Sequence, residues 1–263
     1  MKEQILALLP PDHPWANHLQ FFDTIDSTNT RAKELAAQGA PHGTVLVADR
    51  QTGGRGRMGR SFHSPGGVGV YMSVLLRLKC LPRDLMHLTC AAAVAACDAV
   101  EQAADIRPGI KWTNDLVVDQ RKIAGILTEL VLLPGEVCAV IGIGINCLQQ
   151  EDDFPAEIRH MAGSLGMVTG KEISTAAVTA ALLTAFSAMA DRLPGDAETI
   201  LERYRRDCVT LGRDISLVRG DEIRHGHALD IDTEGGLVVR FPDGHVETIR
   251  SGEVSIRGMY GYI

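Results

Sequence analysis

The sequence predicts an α+β protein: a body of strands and helices over about residues 20 to 210, then a small β-rich module over about 213 to 260. Three observations predict it. Between residues 109 and 146 three strand-like runs follow one another with links as short as DQR and PG, which makes an antiparallel meander, not a βαβ series. From about residue 150 the pattern becomes helical. After Gly212 apolar and polar residues alternate, with turn signals at RGD, EGG and PDG, as in a small barrel-like appendage.

Each element follows from local chemistry. IDSTNTRAKELAAQGA, residues 25 to 40, reads as a helix capped by Asp26, Ser27 or Thr28 and stopped by Gly39. GTVLVAD (43–49) is a short buried strand, and GVGVYMSVLLRL (67–78) is another. PRDLMHLTCAAAVAACDAVEQA (82–103) is an alanine-rich helix with Pro82 at its start; Cys90 and Cys97 lie on one of its faces, in the core. GIKWTNDLVV (109–118), KIAGILTELVLL (122–133) and EVCAVIGIGIN (136–146) are the meander. As a single strand the first run puts Lys111, Thr113 and Asp115 on one face, and the tight link folds Lys122 back beside Val117. Helices follow at 174–193, entered through Ser174 or Thr175, and at 195–208.

Composition excludes several classes. The 263 residues carry a net charge of −7, which argues against a nucleic-acid binder. No apolar run approaches the ~18 residues of a membrane span. The first residues have a charge-then-apolar look, but Pro10 and Pro11 interrupt it and no small-residue cleavage site follows, so a signal peptide is rejected. Six scattered cysteines without a CxxC read as reduced thiols of a cytoplasmic protein.

Against that acidity stands RQTGGRGRMGRSF, residues 50 to 62, with four arginines, four glycines and no acid. Glycine lets a backbone approach a ligand closely, and arginine offers a planar fork to carboxylate or phosphate. The loop lacks GxxxxGK[ST] and does not open a helix as GxGxxG does. Anion binding, RNA binding and a plain solvated loop all remain open on charge alone. DSTNT (26–30) has more neutral hydrogen-bonding side chains than one cap needs. Lys122, among Ile123, Ala124, Gly125 and Ile126, is either a lysine snorkelling at a strand edge or a cation awaiting an anion. The glycines of GIGIN (142–146) thin a strand where something can approach, and Asn146 ends it. His225 and His227 share a strand face without a third metal ligand nearby.

In order and spacing, STN, GRGRMGRSF, KWTND, KIAGIL, GIGIN and the β module resemble the biotin protein ligase family over nearly the whole chain. The resemblance implies a catalytic domain like that of class II aminoacyl-tRNA synthetases, a mixed and largely antiparallel sheet with helices on one side, over residues 1–212. It implies an SH3-like β domain over 213–263. It also implies a two-step reaction. Biotin and ATP, with Mg²⁺, give biotinyl-5′-AMP, and a lysine of a biotin carboxyl carrier domain then takes the biotin.

By the same resemblance Lys122 and Arg57 are the catalytic cations. Biotin falls to Ser27, Thr28, Asn29, Gln51, Gly54, Arg55, Gly56 and Gly125, together with Arg57 and Lys122. The nucleotide falls to Arg55, Arg57, Arg60, Phe62, Asn114, Asp115, Lys122 and Asn146, with Asp115 or Asn146 near its magnesium and no dedicated metal motif. The loop is expected to be mobile when empty and to order on the ligand. Three departures stand out: Met58 for a basic or polar residue, Thr113 for a frequent proline, which loosens that turn, and Phe62 for tryptophan. With STN beginning at residue 27 there is no room for an N-terminal DNA-binding domain, so no DNA binding is expected, and the family's habits suggest a homodimer. A lipoate or octanoate ligase on the same fold, and a non-catalytic vitamin- or nucleotide-binding regulator, are the competing readings.

Overall fold

The computed structural model describes residues 1–219, 222–256 and 259. In chain order the regular elements are α1 (Lys2–Leu8), β1 (Leu19–Ile25), α2 (Thr28–Ala37), β2 (Thr44–Gln51), β3 (Gly69–Leu78) and α3 (Leu88–Ala104). Then come β4 (Gly109–Lys111), β5 (Asp115–Val118), β6 (Arg121–Leu133), β7 (Glu136–Asn146), α4 (Ala156–Arg159), α5 (Leu165–Thr169), α6 (Thr175–Ala190) and α7 (Ala197–Asp207). The module holds β8 (Asp214–Arg219), β9 (Glu222–Ile231), β10 (Leu237–Arg240), β11 (Val246–Ile249) and β12 (Glu253–Ile256). Among the described residues no helix is long and apolar enough to cross a membrane.

The body is one seven-stranded sheet in the order β1-β2-β3-β7-β6-β5-β4. Only β1 and β2 run parallel; every other neighbour is antiparallel. Side chains alternate across the sheet. Val74 and Leu76 of β3 and Ala139 and Ile141 of β7 therefore join the core formed with α3 and α6. Leu75, Cys138 and Val140 face the other way and pack on Ala32 and Ala36 of α2. The expectation of helices on one side is thus corrected, because α2 covers the opposite face. That position creates the site. α2 begins partway along the sheet, and beyond its first turn the exposed face carries Ser73, Gly142, Gly144 and Gly125, too small to fill the space.

The meander is as expected, and Val117 does pair with Lys122. GIKWTNDLVV, however, is not one strand. The chain turns at residues 112–114, so Lys111 lies directly opposite Asp115 in an antiparallel pair, and Thr113 is not on a shared strand face with them. Long-range bonds hold the turn: Trp112 N donates to Thr210 Oγ1 at 2.9 Å, Trp112 Nε1 to Gly235 O at 3.0 Å, and Tyr204 Oη to Thr113 O at 3.0 Å. Thr113 therefore sits in a pinned turn, not the loosened one expected. The alanine-rich run is also two elements, a 3₁₀ turn at Pro82–Leu85 and then α3.

The module is a five-stranded antiparallel sheet, β11-β10-β9-β8-β12. Gly235 and Gly244, at φ 86° and 85°, make the EGG and PDG turns with backbone that L side chains avoid. Gly220 and Asp221, in the third expected turn, lie outside the described residues. Module and body meet through the 232–236 turn, which reaches Trp112, and through Arg205 Nη2, which donates to Ile231 O at 2.5 Å. All six cysteines are free, and Cys90 and Cys97 are in the core.

Candidate active site

One pocket lies over the bare stretch of sheet, between the start of α2, the arginine loop, the 111–115 turn and the first residues of β12. Its floor is glycine for a steric reason. A Cβ at Gly142 would overlap Asn29 Oδ1, and one at Gly144 would lie 2.7 Å from Phe62 Cζ.

One end is neutral and polar. Ser27 Oγ caps α2 by accepting from Thr30 N at 3.4 Å, the role open to any of three residues in the sequence. Thr28 and Asn29 then turn inward, 3% and 4% exposed. Gln51 Oε1 accepts from Thr28 N and Oγ1 at 2.9 and 3.1 Å, and Ser73 Oγ lies 2.6 Å from Asn29 Oδ1. Asn29 Nδ2 donates to Leu127 O and to Glu129 Oε2 at 3.3 and 3.0 Å. Burial pushes the Glu129 carboxyl up, but hydrogen bonds from Lys33 and Asn29 outweigh it and hold the group below its ordinary value.

The other end is cationic. Lys122 is fixed by its backbone, donating N–H to Met161 O at 2.7 Å and accepting from Gly163 N at 2.9 Å. Its Nζ lies 2.7 Å from Asp115 Oδ1, an ion pair although not a well-directed hydrogen bond. The lysine has thus met an anion while its side chain stays 32% exposed. Beside it is Lys111, 7% exposed, which sequence reasoning placed on the strand but not in the site. Burial pushes its ammonium pKa down, and Lys122 and Arg60 add repulsion that Asp115 and Glu253 oppose.

The arginine loop roofs the pocket as a small hairpin. Phe62 N donates to Gly54 O at 2.9 Å, Gly56 N donates to Arg60 O at 2.7 Å, and Arg55 bridges Ser61. Two of the loop's cations are held by protein partners. Arg57 Nη1 donates to Thr113 Oγ1, and to Asn114 Oδ1 at 2.9 Å. Arg60 forms a two-point ion pair with Glu253, Nη1 to Oε1 at 2.9 Å, which holds that carboxyl below its usual range. Met58, 63% exposed, takes the turn at φ 56°; nothing in the structure explains methionine there. Phe62 is on the floor with its ring edge-on to Tyr71, centroids 6.3 Å apart.

Of the sequence-derived residues, Ser27, Thr28, Asn29, Gln51, Arg55, Gly56, Arg57, Arg60, Phe62, Asn114, Asp115, Lys122 and Gly125 line this one pocket. Two do not. Gly54 lies behind the loop, where a Cβ would be 2.6 Å from Ser64 Oγ. Asn146 is buried, its Nδ2 donating to Gly163 O and its Oδ1 accepting from Gln149 Nε2, at 3.0 and 3.2 Å. Glu253 is a further contributor that no local pattern marks, since it comes from the module, 193 residues from its partner Arg60. His225 and His227 bond Ser216 and Asp214 at 2.9 and 2.8 Å, and among the described residues no cluster of metal-ligating side chains forms.

The pocket thus joins a neutral, hydrogen-bonding end to a cationic end. Residues 21–146 match the Biotin/lipoate A/B protein ligase family and residues 210–257 the Biotin protein ligase C terminal domain. The chain is 38% identical to the bifunctional ligase/repressor BirA of Bacillus subtilis over 91% of its own length and 74% of that protein's. It is 31% identical to the biotin--[acetyl-CoA-carboxylase] ligase of Paracoccus denitrificans, covering 89% and 98% of the two chains. Among solved structures it superposes on a biotin protein ligase from Aquifex aeolicus in complex with biotin and ATP with a TM-score of 0.75 at 32% identity, covering 91% and 98%. The chain belongs to the biotin protein ligase family.

Proposed function

We infer that this chain activates biotin with ATP and passes it to a lysine of a biotin carboxyl carrier domain. A carboxylate oxygen of biotin attacks the α-phosphorus, the bond to the β-phosphate breaks, and pyrophosphate leaves. The neutral amine of the acceptor lysine then attacks the acyl carbon of biotinyl-5′-AMP. AMP departs with the C–O bonding electrons, and the surplus amine proton goes to solvent. The observation that carries this reading is the union in one pocket of the Thr28–Gln51–Asn29 network with Lys111, Lys122 and Arg57. A ureido ring has donors and an acceptor to exchange with this hydrogen-bonding end, whereas the dithiolane of lipoate or the alkyl tail of octanoate offers it none.

The roles follow from charge. Carboxylate and triphosphate repel each other, and fixed cations in a site closed to water reduce that barrier. Lys122 and Arg57 are proposed for the reacting oxygens, Arg55 and Arg60 for the outer phosphates, Phe62 for stacking the adenine. A magnesium ion bound to the triphosphate would neutralise part of its charge. Mg²⁺ of this kind needs only one or two protein carboxylates, and Asp115 fits, while the amide of Asn146 is already engaged. A reducing compartment, the cytoplasm, suits six unpaired thiols.

Pyrophosphate exchange with biotin, lipoate and octanoate tests the reading. Exchange with biotin is expected; exchange with lipoate or octanoate alone overturns the substrate, and binding without exchange makes the chain a regulator. Lys111 adds a pH signature. An anion beside it restores the proton that burial disfavours, so binding takes up protons, and affinity falls as pH rises through the lowered pKa. Calorimetry in two buffers of different ionisation enthalpy, at a pH below the ordinary lysine value, should show that uptake, and identical heats would remove Lys111 from the anion site. We also propose a homodimer. Beyond Ile126 no strand pairs with the outer edge of β6 among the described residues, and Leu132 there is 68% exposed. Leu132→Lys should give a monomer by sedimentation velocity; an unchanged species moves the contact elsewhere.

A further inference from the structure

We propose that Thr113 is a positioning residue for Arg57 and that it sets how long the acyl-adenylate stays on the protein. The inference rests on the adenylate-forming reaction proposed above and concerns a residue outside the reacting groups. Two cations of the loop are held in opposite ways. Arg60 is paired with a carboxylate, so much of its charge is spent on Glu253. Arg57 is held by neutral oxygens, the Thr113 hydroxyl and the Asn114 side-chain carbonyl, both reached by Nη1. A neutral acceptor orients a guanidinium without cancelling its charge, so Arg57 keeps its attraction for an anion beneath it. Its Nε and Nη2 donors take no acceptor among the described residues and remain for the phosphate and acyl oxygens.

The acceptor pair is itself held by bonds to residues outside the arginine loop. Tyr204, fully buried in α7, donates to the Thr113 carbonyl at 3.0 Å. Trp112 is held by Thr210 and, across the boundary to the β module, by Gly235. Asn114 is fixed through Nδ2 to Ile126 O and through its own carbonyl to Ile126 N, each at 2.9 Å. Tyr204, Thr210 and Gly235, none of which lines the pocket, therefore hold the backbone that carries Thr113 Oγ1. That oxygen in turn determines where the guanidinium sits. Valine keeps the branched shape of threonine and removes the oxygen; serine keeps the oxygen.

The test uses the full chain loaded with biotin and Mg-ATP. Release of the adenylate is followed by rapid gel filtration, and stray modification by labelling of bystander albumin lysines. Thr113→Val is expected to release the adenylate about tenfold faster, the worth of one hydrogen bond to a charged group, with albumin labelling rising in parallel. Thr113→Ser should restore slow release. Tyr204→Phe, which keeps the buried ring and frees the Thr113 carbonyl, should accelerate release to a smaller extent, and it serves if the valine variant does not fold. A role in folding alone would lower the melting temperature of these variants without changing release from the folded fraction, and that result overturns the proposal. So does wild-type release from folded Thr113→Val when Arg57→Lys releases fast. If wild-type protein forms no adenylate from biotin, the proposed function falls first and this inference with it.

Discussion

Lys122→Ala is expected to cut pyrophosphate exchange by about 10²- to 10³-fold, the usual cost of removing one preorganised electrostatic group, while leaving the fold intact. The two effects separate because the lysine does different things in each. For stability it supplies one ion pair with Asp115, and its side chain is 32% exposed. A pair so open to solvent is worth only ~0–1 kcal/mol. Its backbone bonds to Met161 and Gly163 do not depend on the side chain. For chemistry, its ammonium lines one pocket with Lys111 and Arg57, and in the proposed reaction it faces the two oxyanions that must meet. Asp115, left without Lys122, would also pull Lys111 toward itself and away from the ligand. Exchange assayed beside thermal denaturation checks the claim. Near-normal exchange would return Lys122 to a lysine snorkelling at a strand edge, and a collapse of melting temperature would make it structural.

What the sequence shows and hides can be traced to the range of the interactions. The Ser27 cap, the arginine hairpin and the Lys122–Gly125 run are local, and their chemistry is written within a few residues. Glycines at 142 and 144 were legible as thinning, but not what approaches them, since Asn29 comes from α2 and Phe62 from the loop. KWTND was misread because period-two alternation does not mark where a strand turns. The turn is imposed by Thr210, Tyr204 and Gly235, residues 91 to 123 positions away. Glu253 was invisible for the same reason. β1 was missed because it is an edge strand with only Leu19 deeply buried, so no clean alternation announces it. Asn146, a polar residue closing a glycine strand, lies outside the pocket lining, with its amide bonded to Gly163 and Gln149.

The two floor glycines make a further prediction, because the same substitution should have different consequences two residues apart. At Gly142 an added methyl overlaps the Asn29 amide, with Cγ 2.7 Å away. Asn29 cannot retreat, since Leu127, Glu129 and Ser73 all bond it. Gly142→Ala therefore overpacks a buried network, costing ~1–3 kcal/mol, or ~2–4 °C of melting temperature for each kcal/mol at this size. Biotin affinity falls with it, because the polar end of the pocket is distorted. At Gly144 the obstacle is the Phe62 ring, on a half-buried side chain of the loop that can swing outward. Gly144→Ala is therefore expected to fold with nearly native stability and to lose affinity for ATP through the displaced ring. Denaturant melts and calorimetry of the two variants separate the cases. Coupling in double-mutant cycles, Gly142→Ala with Asn29→Ala and Gly144→Ala with Phe62→Ala, should be ~0.5–3 kcal/mol for such touching pairs. Equal stability losses at both glycines, or no coupling in either cycle, would mean that the floor does not work through these two side chains.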